Sequence, residues 1–175
     1  MPETWPLLGN GGMKITLRTV TTSLAALALV GAGLVGQASA ASASTTTHFH
    51  AVWTGAVKVV LPNQFVFDLS GPADPLGATT AHAVATVNGV SLSCLAGLAN
   101  TNVVTIAAPD GTLTLTSQDV GCPTGVGTFH GTGVYTVTSG TGRYAGASGQ
   151  GTLDGGADIL AGTAHITADG TLTLG

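Results

Sequence analysis

Phe49–Ser70 reads FHAVWTGAVKVVLPNQFVFDLS, two runs rich in β-branched and aromatic residues on either side of Leu61-Pro62-Asn63. Phe65, Phe67 and Leu69 recur at every second position, so an extended chain places them on one face and a helix would scatter them. Phe49–Val60 and Gln64–Ser70 are therefore predicted to pair as a β-hairpin.

Working outward, the same grammar repeats. Ala81–Val87 and Val90–Cys94 flank Asn88-Gly89, a dipeptide that tolerates the positive φ angles of a type I′ turn. Val103–Ala107 and Thr112–Ser117 flank Pro109-Asp110-Gly111, where proline presets φ and glycine relaxes it. Gly127–His130, Val134–Thr138, Gly149–Leu153, Ala157–Leu160, Thr163–Thr167 and Thr171–Leu174 complete the predicted strands. Gly71–Gly77 (GPADPLG) and Cys122-Pro123 are predicted loops, since proline breaks ladders. The hexapeptide DGTLTL occurs at Asp110–Leu115 and at Asp169–Leu174, which suggests two hairpins with the same turn.

Composition narrows the architecture. Glycine supplies 27 of 175 residues, 44% are hydrophobic and 7% are charged. With Lys and Arg totalling 4, there is too little material for the exposed faces of a helical bundle. The formal charge of −4 repels phosphate backbones, so no nucleic-acid partner is expected. Short strands joined by tight turns point to an all-β fold, an antiparallel β-barrel of about eight strands, with a β-sandwich as the alternative. The glycines between Gly121 and Gly162 fit bends and bulges of a curved sheet, and closure protects edges that so few charges could not.

The N-terminal part has a different character. Lys14 and Arg18 precede the apolar run Leu24–Val35, and Ala38-Ser39-Ala40 follows as a small-residue cleavage signal, the pattern of a signal peptide over residues 13–40. The run is shorter than the roughly 20 residues of a membrane span. Residues 1–12 carry Glu3 and no base, which suits no such segment, so Met13 is the expected start. Cleavage near Ala40 would leave residues 41–175 as one secreted domain with no membrane span. Cys94 and Cys122 are predicted to form a disulfide in the oxidising compartment.

Val134–Leu153 reads VYTVTSGTGRYAGASGQGTL. It resembles the Gly-Gly-Thr-Gly-Arg/Lys-Phe-Ala-Gly-Ala-Ser-Gly signature of dirigent proteins and, more loosely, of allene oxide cyclases, which share an eight-stranded antiparallel barrel. It also resembles small exported bacterial glycine-rich proteins without established activity. The resemblance implies a barrel, with polar side chains inside it where there is enzymatic chemistry. The residues themselves imply a strand to Thr138, a tight turn at Ser139–Gly142, and inward packing of Tyr144 and Ala145.

Candidate chemistry is sparse. His48-Phe49-His50 places two imidazoles on one strand face, where they could approach a metal if His82, His130 or His165 supplied a third ligand. Gly140-Thr141-Gly142 with Arg143 completes no phosphate loop. Ser148 misses the nucleophile-elbow pattern by one position, and no pair of carboxylates is set apart for hydrolysis. Asp68, within an apolar strand, is expected to face solvent; facing inward it would be a buried acid. Arg143 is expected to pair with Asp154 or Asp158.

Trp53, Phe65, Phe67, Phe129, Tyr135 and Tyr144 supply most of the large side chains. They are expected mainly in the core, some at a cavity near a barrel mouth. The candidate ligand pocket is accordingly Trp53, Phe65, Phe67, Asp68, Tyr135, Arg143 and Tyr144. No catalytic residue and no cofactor is called for. The expected function is a secreted module that binds a small apolar ligand or a cell-envelope component. The alternative is a cofactor-independent barrel enzyme of the cyclase or dirigent kind acting on a small apolar molecule.

Overall fold

A computed structural model describes residues 44–175. The expected signal segment, its cleavage site near Ala40 and the start at Met13 lie outside the described residues.

Eight antiparallel strands form a closed barrel in sequence order. They are β1 (Thr45–Leu61), β2 (Gln64–Asp74), β3 (Gly77–Ser91), β4 (Gly97–Ala108), β5 (Gly111–Gly125), β6 (Thr128–Gly140), β7 (Ser148–Asp158) and β8 (Thr163–Leu174). β1 pairs with β8 from Thr45↔Leu174 to Ala56↔Thr163, which closes the sheet and rules out the sandwich. Strict alternation sends one side chain in two to the lumen, as in Phe49, Ala51 and Trp53 of β1 and Leu113, Leu115 and Ser117 of β5, all buried.

Several predicted breaks are strand instead. β3 runs through Asn88-Gly89, which forms an irregularity in register between Val87 and Gly89; the turn comes later, at Leu92–Ala96. Positive-φ tolerance serves a bulge as well as a turn, and long-range pairing with β4 decides between them. β2 likewise continues through Gly71-Pro72 to Asp74, and β5 continues through Cys122-Pro123. The loops predicted there shrink to the turns Pro75-Leu76 and Val126-Gly127.

The two DGTLTL copies have different fates. Asp110 sits in the predicted turn, whereas Asp169-Gly170 lies in the middle of β8. A Cβ at Gly170 would come within 2.3 Å of the Gln150 carbonyl oxygen and 2.7 Å of the Tyr135 hydroxyl. The glycine there makes room for a neighbour and turns nothing.

One end of the barrel is filled. Phe49, Ile106, Leu113, Leu115, Tyr135 and Leu172 are among its fully buried side chains. A single turn of 3-10 helix, η1 (Gly142–Tyr144), folds over this end. Gly142 has φ +60, a conformation costly for any residue with a Cβ, and the Arg143 amide donates to the Asp110 carbonyl at 2.9 Å. Tyr144 and Ala147 are buried and Ala145 is exposed, a correction to the predicted packing of Ala145.

A disulfide joins Cys94, in the β3–β4 turn, to Cys122 on β5, as predicted. It spans β4 and ties together strands that share no backbone ladder.

Candidate functional site

The opposite end is hollow. A cavity of about 130 Å³ lies among inward side chains of Trp53, Phe65, Phe67, Leu115, Phe129, Leu153 and Ile166. Small residues alternate with the large ones around the lining: Ala81, Ala83 and Ala85 on β3, the last two paired with Phe67 and Phe65, Gly121 on β5, Gly131 on β6 and Gly155 on β7. Missing side-chain volume on neighbouring strands is what leaves the space. Trp53 marks the boundary with the filled half, since it lines the cavity and packs on Phe49 at a ring-centroid distance of 6.4 Å.

Besides Asp154, whose carboxylate is on the outside with His130, three polar residues interrupt this apolar lining: Asn100 and Asn102 from β4, and Asp119 from β5. Asn100 lies directly opposite Asp119 in the β4–β5 register, and Asn102 opposite Ser117. The Asn100 amide donates to Asp119 Oδ2 at 3.2 Å and to the Leu98 carbonyl at 3.3 Å. The Asn102 amide donates to Asp119 Oδ1 and, at 2.7 Å, to Ser117 Oγ. Asn100 Oδ1 is buried with no partner.

Burial raises the Asp119 carboxyl above its ordinary value of 3.8, and the hydrogen bonds from Asn102 and Asn100 hold back part of that rise. The folded state thus keeps this proton more tightly than the unfolded chain. The resulting cost to stability is complete above the folded pKa and is relieved as pH falls through it towards the unfolded value. Asp119→Asn removes that titration. Relative to the native chain, the variant is expected to be best placed at neutral pH and to lose ground as pH is lowered, read from urea midpoints at a series of pH values. A difference independent of pH would contradict the burial of this carboxylate.

The residues anticipated for a pocket are dispersed. Trp53, Phe65 and Phe67 line the cavity, as does Phe129. Tyr135 and Tyr144 are buried in the filled half. Tyr135 stands edge-on to Phe49, and its hydroxyl has no partner. Burial and the nearby Asp169 carboxylate push its pKa up to about 12. Asp68 and Arg143 must be removed from the pocket set, because both face solvent. Asp68 is on the face of β2 opposite Phe65, Phe67 and Leu69, where it meets His82 Nδ1 at 2.8 Å and Lys58 Nζ at 3.9 Å. Arg143 pairs with Asp110 at 3.5 Å, not with Asp154 or Asp158, because η1 folds over the Pro109-Asp110 turn.

His48 and His50 do share the outer face of β1, and both imidazoles bond one carboxylate, that of Asp169, at 3.3 and 3.1 Å. These hydrogen bonds, first from His50 and then from His48, lower the Asp169 pKa. The third ligand anticipated from His82, His130 or His165 is elsewhere. His82 pairs with Asp68, His130 pairs with Asp154 at 3.2 Å, and His165 lies opposite Gly156 on β7. Among the described residues, no three His, Cys, Asp or Glu side chains converge in a metal-holding group.

No family model matches the chain, and neither does any curated protein. Among solved structures, the pterocarpan synthase dirigent protein GePTS1 superposes on it with a TM-score of 0.48 and 18% identity, over 75% of this chain and 89% of that one. The chain resembles a dirigent barrel in fold.

The Asn100–Asn102–Asp119 group is the part of the lumen that sequence reasoning missed. Its signal was parity. Asp119 continues the inward series Leu113, Leu115, Ser117, and Asn100 and Asn102 continue the inward series of Val104 and Ile106. Reading Thr112–Ser117 and Val103–Ala107 as short strands cut both series before they reached these positions.

Proposed function

We propose that the protein is an exported binding module that takes a small apolar ligand into the lumen of its barrel. One observation carries this reading: half of the lumen is packed with large side chains, and the other half is kept open by glycine and alanine on adjoining strands. A cavity of about 130 Å³ is close to the ~150 Å³ engineered apolar cavity that takes up benzene. The ligand body is therefore a single ring or an aliphatic chain of similar bulk. The turns around the open end expose Leu61, Leu92, Leu95, Val126 and Leu160, so an apolar molecule meets an apolar rim. Export is supported by a disulfide, which persists in oxidising compartments. No helix among the described residues is long and apolar enough to cross a membrane.

Titration calorimetry with toluene tests the reading. The native chain is expected to bind it saturably with unit stoichiometry, and Gly121→Val with Gly131→Val is expected to abolish binding while leaving the fold intact by circular dichroism. Binding that survives the filling of the lumen would place the ligand elsewhere.

A second reading, a cofactor-independent barrel enzyme acting on a small apolar molecule, is favoured by Asp119. A lumen carboxyl with a raised pKa is the setting of a general acid or base. Under that reading, Asp119→Asn abolishes turnover of a bound molecule without abolishing its binding.

A further inference from the structure

The polar group in the lumen is one-sided in its hydrogen bonding. An amide nitrogen has two hydrogens to donate. Both Asn100 hydrogens are engaged, by Leu98 and Asp119, and both Asn102 hydrogens are engaged, by Ser117 and Asp119. The group therefore presents an acceptor to the cavity at Asp119, whose Oδ2 lies next to the vacancy at Gly131, and the Asn100 carbonyl oxygen is buried within it without a partner.

Asp119 also lacks a cation. Among the described residues, Lys58 pairs with Asp68, Arg143 with Asp110, His82 with Asp68, His130 with Asp154, and His48 and His50 with Asp169. Each of these pairs is on the exposed outside of the barrel. A half-buried carboxylate supported only by neutral amides is short of both donors and positive charge.

The space in front of the group is held open without any demand from the backbone. Gly121 and Gly131 are cross-strand partners in the β5–β6 ladder. A Cβ on Gly121 would lie 3.6 Å from Asn100 Nδ2, and one on Gly131 would lie 3.6 Å from Asp119 Oδ2, both at ordinary contact distance. Neither glycine has a positive φ. At neither position does a neighbouring backbone or a turn require glycine, and the space lies over the Asn100 amide nitrogen and the Asp119 carboxylate.

We propose that the ligand of the lumen is a small lipophilic amine, its ammonium seated against the Asp119 carboxylate and its apolar body lying against Phe65, Phe67 and Trp53. The proposal rests on the lumen-binding reading and adds the chemical class. An ammonium brings three donors, no acceptor and a positive charge, which is what the group lacks. A hydroxyl brings one donor and a further acceptor, and a carboxylate brings repulsion.

The test is calorimetry on the full chain at neutral pH with four probes: toluene, benzyl alcohol and benzylamine, which are of similar bulk, and the larger benzyltrimethylammonium. Benzylamine is expected to bind at least about ten-fold more tightly than benzyl alcohol, a ratio within reach of one charge-assisted contact. Asp119→Asn is expected to erase that preference while leaving toluene, which makes no polar contact, as it was. Benzyltrimethylammonium, which has the charge but no N–H, is expected to bind no better than toluene, and this measurement on the native chain does not depend on any variant folding. Benzylamine binding no tighter than the alcohol, or a preference that survives Asp119→Asn, overturns the amine proposal and leaves the lumen reading standing. Failure of all four to bind saturably overturns both.

Discussion

Trp53→Ala is expected to lower the free energy of unfolding by about 3 to 5 kcal/mol, the range for removing a large aromatic from a packed interior. The indole is 2% exposed and sits against Phe49. Its loss also breaks a short relay. Trp53 Nε1 donates to Thr79 Oγ1 at 2.8 Å, and Thr79 Oγ1 donates to the Gly71 carbonyl at 2.9 Å, linking β1, β3 and β2 at the barrel wall. Without the indole the buried threonine hydroxyl loses its donor, which adds to the cavity cost. Trp53→Phe helps to separate the two contributions, since it keeps an aromatic ring in the site and removes the N–H donor; it should cost about 1 kcal/mol beyond the loss due to its smaller volume. Urea unfolding followed by circular dichroism reads both. A loss below about 1 kcal/mol for the alanine variant would mean that the boundary between the filled and hollow halves is not held by this side chain.

The second large effect is expected from replacing Cys94 and Cys122 together by serine. The two are 28 residues apart in sequence, and closing a loop of that length stabilises a fold by about 3 to 4 kcal/mol in the chain-entropy model. For a domain of this size that corresponds to a fall in melting temperature on the order of 10 °C. The loss should appear in the native chain on reduction and be absent from the double variant, which has nothing to reduce. The same material recovered from culture medium tests the proposed export, because its intact mass should correspond to a chain beginning near Ala41 and lacking two hydrogens. A chain with both thiols free would remove the reason for expecting any difference.

The class of fold was legible because it depends on repetition. Phe65, Phe67 and Leu69 announce period two in a single hairpin, and that period recurs down the chain with too few charges for helices. Boundaries were harder, and for a common reason. Asn88-Gly89, Gly71-Pro72, Cys122-Pro123 and Asp169-Gly170 all look like punctuation locally, yet each is carried within a strand by its pairing with the neighbouring strand. Glycine in this chain has at least three uses, a turn at Gly142, clearance for Tyr135 at Gly170, and vacancy at Gly131, and no local pattern distinguishes them. The aromatic part of the cavity was anticipated because large side chains at alternate positions face inward together. Its polar part was not, because it follows from how far β4 and β5 extend. Asp68 shows the converse: counting from Phe67 already places it outside, where the structure has it.

The pairing of Gly121 with Gly131 separates two properties that most small domains entangle. Rigidity of the frame resides in the aromatic and leucine side chains of the far end, in the disulfide and in the closed ladder. Under the proposed function, selectivity resides in two positions, Gly121 and Gly131, where an added Cβ meets its neighbours only at ordinary contact distance. Successive single replacements there would change the shape and polarity of the chamber in small steps while the scaffold stays as it is, so descendants of this chain could exchange one guest for another without first becoming unstable.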